Sequence, residues 1–91
     1  MIRSCRDRET ENVFALRPSR KFQAIQDRAE KVMGFLDAAT SLQDLSLPGL
    51  RLEKLVGDRE GQFSIHINRQ YRVCFEWHEG NAHSAEIVDY H

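Results

Sequence analysis

Residues 57–91 read GDREGQFSIHINRQYRVCFEWHEGNAHSAEIVDYH, and the alternation within this stretch decides the fold class. Phe63, Ile65 and Ile67 alternate with Gln62, Ser64 and His66. Tyr71, Val73, Phe75 and Trp77 alternate with Arg72, Cys74, Glu76 and His78. A period of two places one set on a packed sheet face and the other on an open one. Strands are therefore expected at about Gln62–Ile67, Tyr71–Trp77 and His83–Tyr90, with turns at Asn68-Arg69-Gln70 and Glu79-Gly80-Asn81 short enough for antiparallel hairpins. The expected open face of the second strand carries a guanidinium, a thiol, a carboxylate and an imidazole in a row. The sequence then stops on a carboxylate, a phenol and an imidazole, Asp89-Tyr90-His91.

Working back from Gly57, Arg51-Leu52-Glu53-Lys54-Leu55-Val56 is apolar enough to lie against the body, with Arg51, Glu53 and Lys54 facing outward. Gly57 and Gly61 bracket a tight charged connection. Thr40 to Leu45 reads as a capped turn that Pro48-Gly49 terminates. The longest element is expected at about Arg20–Ala39 with Ser19 as N-cap, because Phe22, Ile25, Ala29, Val32, Met33 and Leu36 form one stripe of helical period. Met33 and Phe35 read as packing residues. A shorter helix is expected from Asp7 to Leu16, with Asp7, Glu9 and Glu11 where the helix dipole favours acids. Arg17-Pro18 breaks it. Ile2 to Cys5 reads as an edge strand. Helices followed by a three-stranded antiparallel meander make the chain α+β, one domain over residues 1–91.

Composition narrows the function. Thirteen basic residues against fourteen acidic give a formal charge of −1, so bulk positive charge does not announce a nucleic-acid binder. Any phosphate contact must come from local clustering. No apolar run approaches the roughly 18 residues a membrane span needs. The N-terminus has no secretory pattern, which makes cytoplasm the expected location. Two cysteines, Cys5 and Cys74, are no disulfide framework.

Three readings of the polar residues compete. A metal site drawn from His66, His78, His83, His91 and Cys74 lacks any Cys-x-x-Cys or His-x-x-x-His spacing, and no metal or cofactor is expected. A plain solvent face would leave Arg59, Arg69 and Arg72 solvated or loosely paired with Asp58, Glu60 and Glu76. Phosphodiester chemistry on RNA needs a base for the 2′-hydroxyl, an acid for the leaving 5′-oxygen and cations for the charge growing on phosphorus. His91 and Tyr90 suit proton transfer, Asp89 suits orientation, and Arg72 suits a bidentate phosphate clamp. A terminal carboxylate beside the His91 ring favours the imidazolium, hence an acid more than a base.

Gly57-Asp58-Arg59-Glu60-Gly61, Phe63-Ser64-Ile65, Gln70-Tyr71-Arg72-Val73-Cys74-Phe75 and Glu86-Ile87-Val88-Asp89-Tyr90-His91 together closely resemble the HigB toxins, in the RelE/ParE superfamily of toxin–antitoxin pairs. The likeness extends from Met1-Ile2-Arg3-Ser4 through Leu36-Asp37-Ala38-Ala39-Thr40. It implies two N-terminal helices packed on a curved antiparallel sheet. It also implies a ribosome-dependent endoribonuclease that cuts messenger RNA in the decoding site, without metal, using the substrate's own 2′-hydroxyl. The implied partners are the 70S ribosome, messenger RNA and a HigA-like antitoxin through which alone operator DNA is met. Asp89, Tyr90, His91 and Arg72 match the family's catalytic positions, and Arg51, Lys54, Arg59 and Arg69 are the candidate RNA- or ribosome-binding cations.

Two departures stand out. Where some relatives carry a histidine and a lysine just ahead of the Gly-Asp-Arg loop, this chain has Glu53 and Val56, with Lys54 out of register. Asn68 falls where a relative has an arginine, with Arg69 one place later. Slower or differently specific cleavage is the expected consequence. A non-catalytic gyrase inhibitor of the ParE kind, and a degenerate toxin kept as the antitoxin's co-repressor, are the alternatives.

Overall fold

Asp7 starts the first helix, α1 (Arg8–Phe14), as its N-cap: its backbone is extended and its carboxylate accepts from the Thr10 amide at 2.7 Å and the Thr10 hydroxyl at 3.1 Å. Glu9 and Glu11 lie in the first turn, where the helix dipole stabilises them. The expected run to Leu16 ends two residues early. Leu16 takes a left-handed conformation (φ 61°) and is 71% exposed, so only Thr10 and Val13 form the buried side of this helix. Thr10 also ties the helix to the sheet, because its hydroxyl accepts from the Ile87 amide at 3.0 Å.

The computed structural model describes residues 1–90, and His91 lies outside the described residues. The long helix, α2 (Gln26–Ala38), begins later than the apolar stripe suggests, after a short 3₁₀ turn at Gln23–Ile25. Ser19 is therefore not its N-cap. The Ser19 hydroxyl instead accepts from the Phe22 amide at 3.2 Å and donates to Glu9 at 2.6 Å. Gln26 accepts from the Ser19 amide at 2.9 Å and donates to the Arg17 carbonyl at 2.7 Å. These side-chain bonds fold the approach segment back on itself and displace helix from residues 20–25. The stripe still serves the core: Phe22, Ala29, Val32, Met33 and Leu36 are buried, and only Phe35, at 43% exposure, departs from the packing role expected of it.

Downstream, Asp44 reaches back to accept from the Thr40 and Ser41 amides, which closes the expected capped turn as a 3₁₀ segment at Leu42–Leu45. The sheet has four antiparallel strands rather than three, in the order β1 (Glu53–Lys54), β2 (Gln62–His66), β3 (Tyr71–His78) and β4 (Asn81–Asp89). Strand β1 has only two residues, too few to show alternation, yet Glu53 pairs with Ser64 and Lys54 with Phe63. Leu55 and Leu50 extend the ladder to either side through bonds to Gln62 and His66. Gly57 and Gly61 have φ of 69° and 92°, which glycine alone adopts without penalty, and they frame the Gly57–Arg59 turn between β1 and β2. Residues 1–6 run beside the free edge of β4, bridging it in parallel at Ile2–Ala82 and Cys5–Ala85, so the expected edge strand is present as two bridges.

Ile65, Ile67, Val73, Phe75, Ala82, Ala85 and Ile87 share one core with Val13, Phe22, Ala29, Val32, Met33 and Leu36 from the helices. The opposite sheet face is less open than alternation implies. Ser64 and Cys74 are fully buried there, and Arg59 from the 57–59 turn bonds to Glu86 at 3.3 Å and Gln62 at 3.1 Å. Burial raises the Cys74 thiol pKa, and burial with help from Glu11 and Asp7 pushes Cys5 up to about 11. Both thiols are thus held protonated at neutral pH and are poor nucleophiles.

Candidate active site

The two short connections at one end of the sheet build the site. At the β2–β3 turn the Asn68 side chain accepts from the Gln70 and Tyr71 amides at 2.9 and 2.8 Å, closing the chain so that His66 pairs directly with Arg72 across the strands. Where β4 ends, the Tyr90 amide donates to the Gln70 carbonyl at 2.6 Å and Gln70 donates to Asp89 at 3.0 Å. Asp89 and Tyr90 are thereby tied to the same turn.

Arg72 is the centre of the arrangement. Its side chain is only 12% exposed; one terminal nitrogen donates to the Arg51 carbonyl at 2.7 Å and the other stands 3.9 Å from Glu53. Its Nε is buried with no hydrogen-bond partner among the described residues. A guanidinium has five N–H donors in a fixed fork, and most of those on Arg72 are uncommitted. The Tyr90 ring lies over it, 5.1 Å from ring centre to guanidinium carbon, and the Tyr90 hydroxyl donates to Glu53 at 3.3 Å. Glu53, Arg72 and Tyr90 thus form one contact group across three segments.

Two hollows meet at Tyr90. One, of about 270 Å³, is lined by Arg51, His66, Asn68, Arg69, Arg72 and Tyr90, with three cations and no carboxylate. The other, of about 370 Å³, is lined by Glu53, Lys54, Leu55, Val56, Asp58, Arg59 and Tyr90, where charges of both signs are mixed. The smaller is the better anion site on charge alone, although the chain as a whole is slightly acidic. This is the local clustering that phosphate recognition requires of such a composition.

Of the residues singled out in the sequence, Asp89, Tyr90, Arg72, Arg51 and Arg69 come together at this end. Lys54 lines the neighbouring hollow. Arg59 lines it too, but its guanidinium is engaged by Glu86 and Gln62 across the sheet. His91 lies outside the described residues. At the divergent positions, Glu53 is bound into the Arg72–Tyr90 group, Val56 is 80% exposed, and Asn68 builds the turn. Among the described residues no group of three or more histidine, cysteine, aspartate or glutamate side chains is placed to hold a metal ion.

His66 is the site residue that sequence reading underuses. In the sequence it figures only as a metal-ligand candidate, yet it lines the arginine-rich hollow beside Arg72. Burial, then the charges of Arg51, Arg72 and Arg28, lower its pKa below the usual 6.5 and keep the ring neutral at pH 7. The hairpin register holds the signal: once the 68–70 turn is drawn, His66 and Arg72 must face each other.

Residues 9–91 match a family model described as the RelE-like toxin of type II toxin–antitoxin system HigB. The chain is 32% identical over 74 residues to a Proteus vulgaris protein named Endoribonuclease HigB, covering 81% of this chain and 76% of that one. It is 40% identical over 60 residues to a Vibrio cholerae serotype O1 protein named Toxin HigB-1, covering 65% and 63% respectively. No helix of the described residues is long and apolar enough to cross a membrane.

Proposed function

This chain belongs to the HigB-like toxins of type II toxin–antitoxin systems, and on that premise we propose that it is a ribosome-dependent endoribonuclease that cuts messenger RNA in the decoding site. The observation that carries the reading is the hollow in which Arg51, Arg69 and Arg72 converge beside His66 and Tyr90 without a carboxylate. The name of the Proteus vulgaris relative supports the same chemistry.

The scissile phosphodiester sits against Arg72, whose uncommitted N–H groups meet the non-bridging oxygens and stabilise the charge that grows on phosphorus. Attack by the 2′-oxygen forms a bond to phosphorus, the bond to the 5′-oxygen breaks, and the products are a 2′,3′-cyclic phosphate and a 5′-hydroxyl. No metal is needed. Tyr90 and His91 supply the proton that the leaving oxygen takes up, and Asp89 helps hold the C-terminal residues in place. Arg51, Arg69, Lys54 and Arg59 contact the RNA backbone or the ribosome, with Arg59 acting mainly through its clasp on Glu86. Glu53 contributes negative charge next to Arg72 and competes with phosphate for it, which makes cleavage slower than in relatives with a histidine there.

The same proposal includes one domain over residues 1–91, with both helices on the far side of a curved RelE/ParE-like sheet. It includes a HigA-like antitoxin that alone brings the pair to operator DNA, and a cytoplasmic location. The chemistry of the cut ends tests it. Fragments from programmed 70S ribosomes should carry 5′-hydroxyls that accept label from a polynucleotide kinase without prior phosphatase treatment. Fragments bearing 5′-phosphates would exclude attack by the 2′-oxygen.

A further inference from the structure

We infer that His66 is the catalytic base of this chain, taking the 2′-hydroxyl proton as the 2′-oxygen attacks phosphorus. The inference rests on the endoribonuclease reading and assigns a role that reading leaves vacant. It concerns a side chain on β2 that shares its hollow with Tyr90.

Position is the first ground. His66 stands directly opposite Arg72 in the β2–β3 ladder and lines the same hollow. A diester held on Arg72 therefore lies next to the imidazole. The backbone beneath the ring is fixed: the His66 amide donates to the Leu50 carbonyl at 2.6 Å, and the adjacent Ile67 carbonyl accepts from Arg28 at 3.2 Å. The ring itself is uncommitted, with no side-chain hydrogen bond or ion pair to it among the described residues. A base must have an unoccupied nitrogen, and no hydrogen bond or ion pair among the described residues occupies this ring.

Charge is the second ground. The groups facing His66 are Arg72 from β3, Arg51 from the segment before β1, Arg28 from α2, Arg69 from the turn, and the Tyr90 ring. Glu53 is close to Arg72 but bound into the Arg72–Tyr90 group. Burial first, and then the surrounding arginines, keep the imidazole in its proton-accepting form. A docked phosphodiester brings negative charge to the same arginines, which raises the basicity of the ring just when substrate is present. The alternative base, Glu53, has its carboxylate engaged by the Tyr90 hydroxyl and faced by Arg72.

The step balances. The His66 ring nitrogen accepts the O2′ proton as O2′–P forms; P–O5′ breaks, and O5′ leaves with a proton from the C-terminal Tyr90-His91 pair. The imidazolium later returns its proton to water.

The experiment is single-turnover cleavage on programmed ribosomes across a range of about pH 6–8.5 for the wild type, His66→Gln, His66→Ala and Glu53→Gln, with thermal melts to verify folding. His66→Gln should slow cleavage by about 10²–10⁴-fold. The wild-type rate should fall toward the acid end of the range, and that fall should be absent in His66→Gln but retained in Glu53→Gln. Added imidazole should partly restore His66→Ala, with a pH dependence set by free imidazole. A folded His66→Gln that cuts at the wild-type rate, or an acid limb lost in Glu53→Gln instead, would overturn the assignment alone. A wild type that cuts nothing would remove the endoribonuclease reading, and the assignment with it.

Discussion

Replacing Arg72 with alanine is expected to lower messenger RNA cleavage by about 10²–10³-fold, the usual cost of deleting a donor aimed at developing negative charge. Lysine at the same place should recover only a minor part, because an ammonium restores charge but not a two-pronged grip on a phosphate. The effect should fall on the rate more than on folding. Arg72 gives up one bond to the Arg51 carbonyl and a 3.9 Å approach to Glu53, and its Nε has no hydrogen-bond partner to lose among the described residues. Single-turnover cleavage and thermal melts on the same preparations separate the two. A variant that melts normally and cuts normally would show that the phosphate is held elsewhere.

Phe75→Ala should be the most disruptive change to the fold. Phe75 is fully buried on β3 and touches Phe63 and Trp77, at ring-centre distances of 6.1 and 6.2 Å. Emptying such a position costs roughly 3–5 kcal/mol. A domain of this size is stable by only about 5–15 kcal/mol, so roughly a fifth or more of the margin disappears. At about 4–8 °C per kcal/mol, the melting temperature should drop by tens of degrees. Phe35→Ala is the matched control: the same atoms are removed from a side chain already 43% exposed, and the change should stay within about 0.5 kcal/mol. Comparable losses from the two variants would mean that the core has been assigned to the wrong faces.

What the sequence makes legible follows from where its signals are local. The β2–β3 hairpin and the presence of β4 are readable because alternation and turn residues sit within a few positions of each other, although β4 starts at Asn81, two residues before the expected His83. The helical stripe from Phe22 to Leu36 identifies the core residues but not the start of α2. That boundary depends on Gln26 bonding back to Arg17 and Ser19, a choice no periodicity encodes. Strand β1 escapes because two residues carry no period, and only its pairing with Ser64 and Phe63 makes it a strand. The Arg59–Glu86 bond is hidden for a related reason: it joins a glycine turn to a strand 27 residues away.

The site divides along the same line. Arg72, Asp89, Tyr90 and His91 are visible as residue types in a pattern that resembles a family. Their partners are not. That Glu53 joins Arg72 and Tyr90 follows only from β1 lying beside β2 and Tyr90 folding back on Gln70, whereas His66 meets Arg72 through the β2–β3 register.

The most direct test of the central claim is messenger RNA cleavage on programmed 70S ribosomes by the intact protein and by a version ending at Asp89. The intact chain should cut inside the decoding site and leave the same RNA whole when ribosomes are absent. Removal of Tyr90 and His91 should slow cutting by orders of magnitude while the fold melts as before. An intact chain that cuts nothing on ribosomes yet arrests growth when expressed would contradict the account and place its target elsewhere, with DNA gyrase the first to examine.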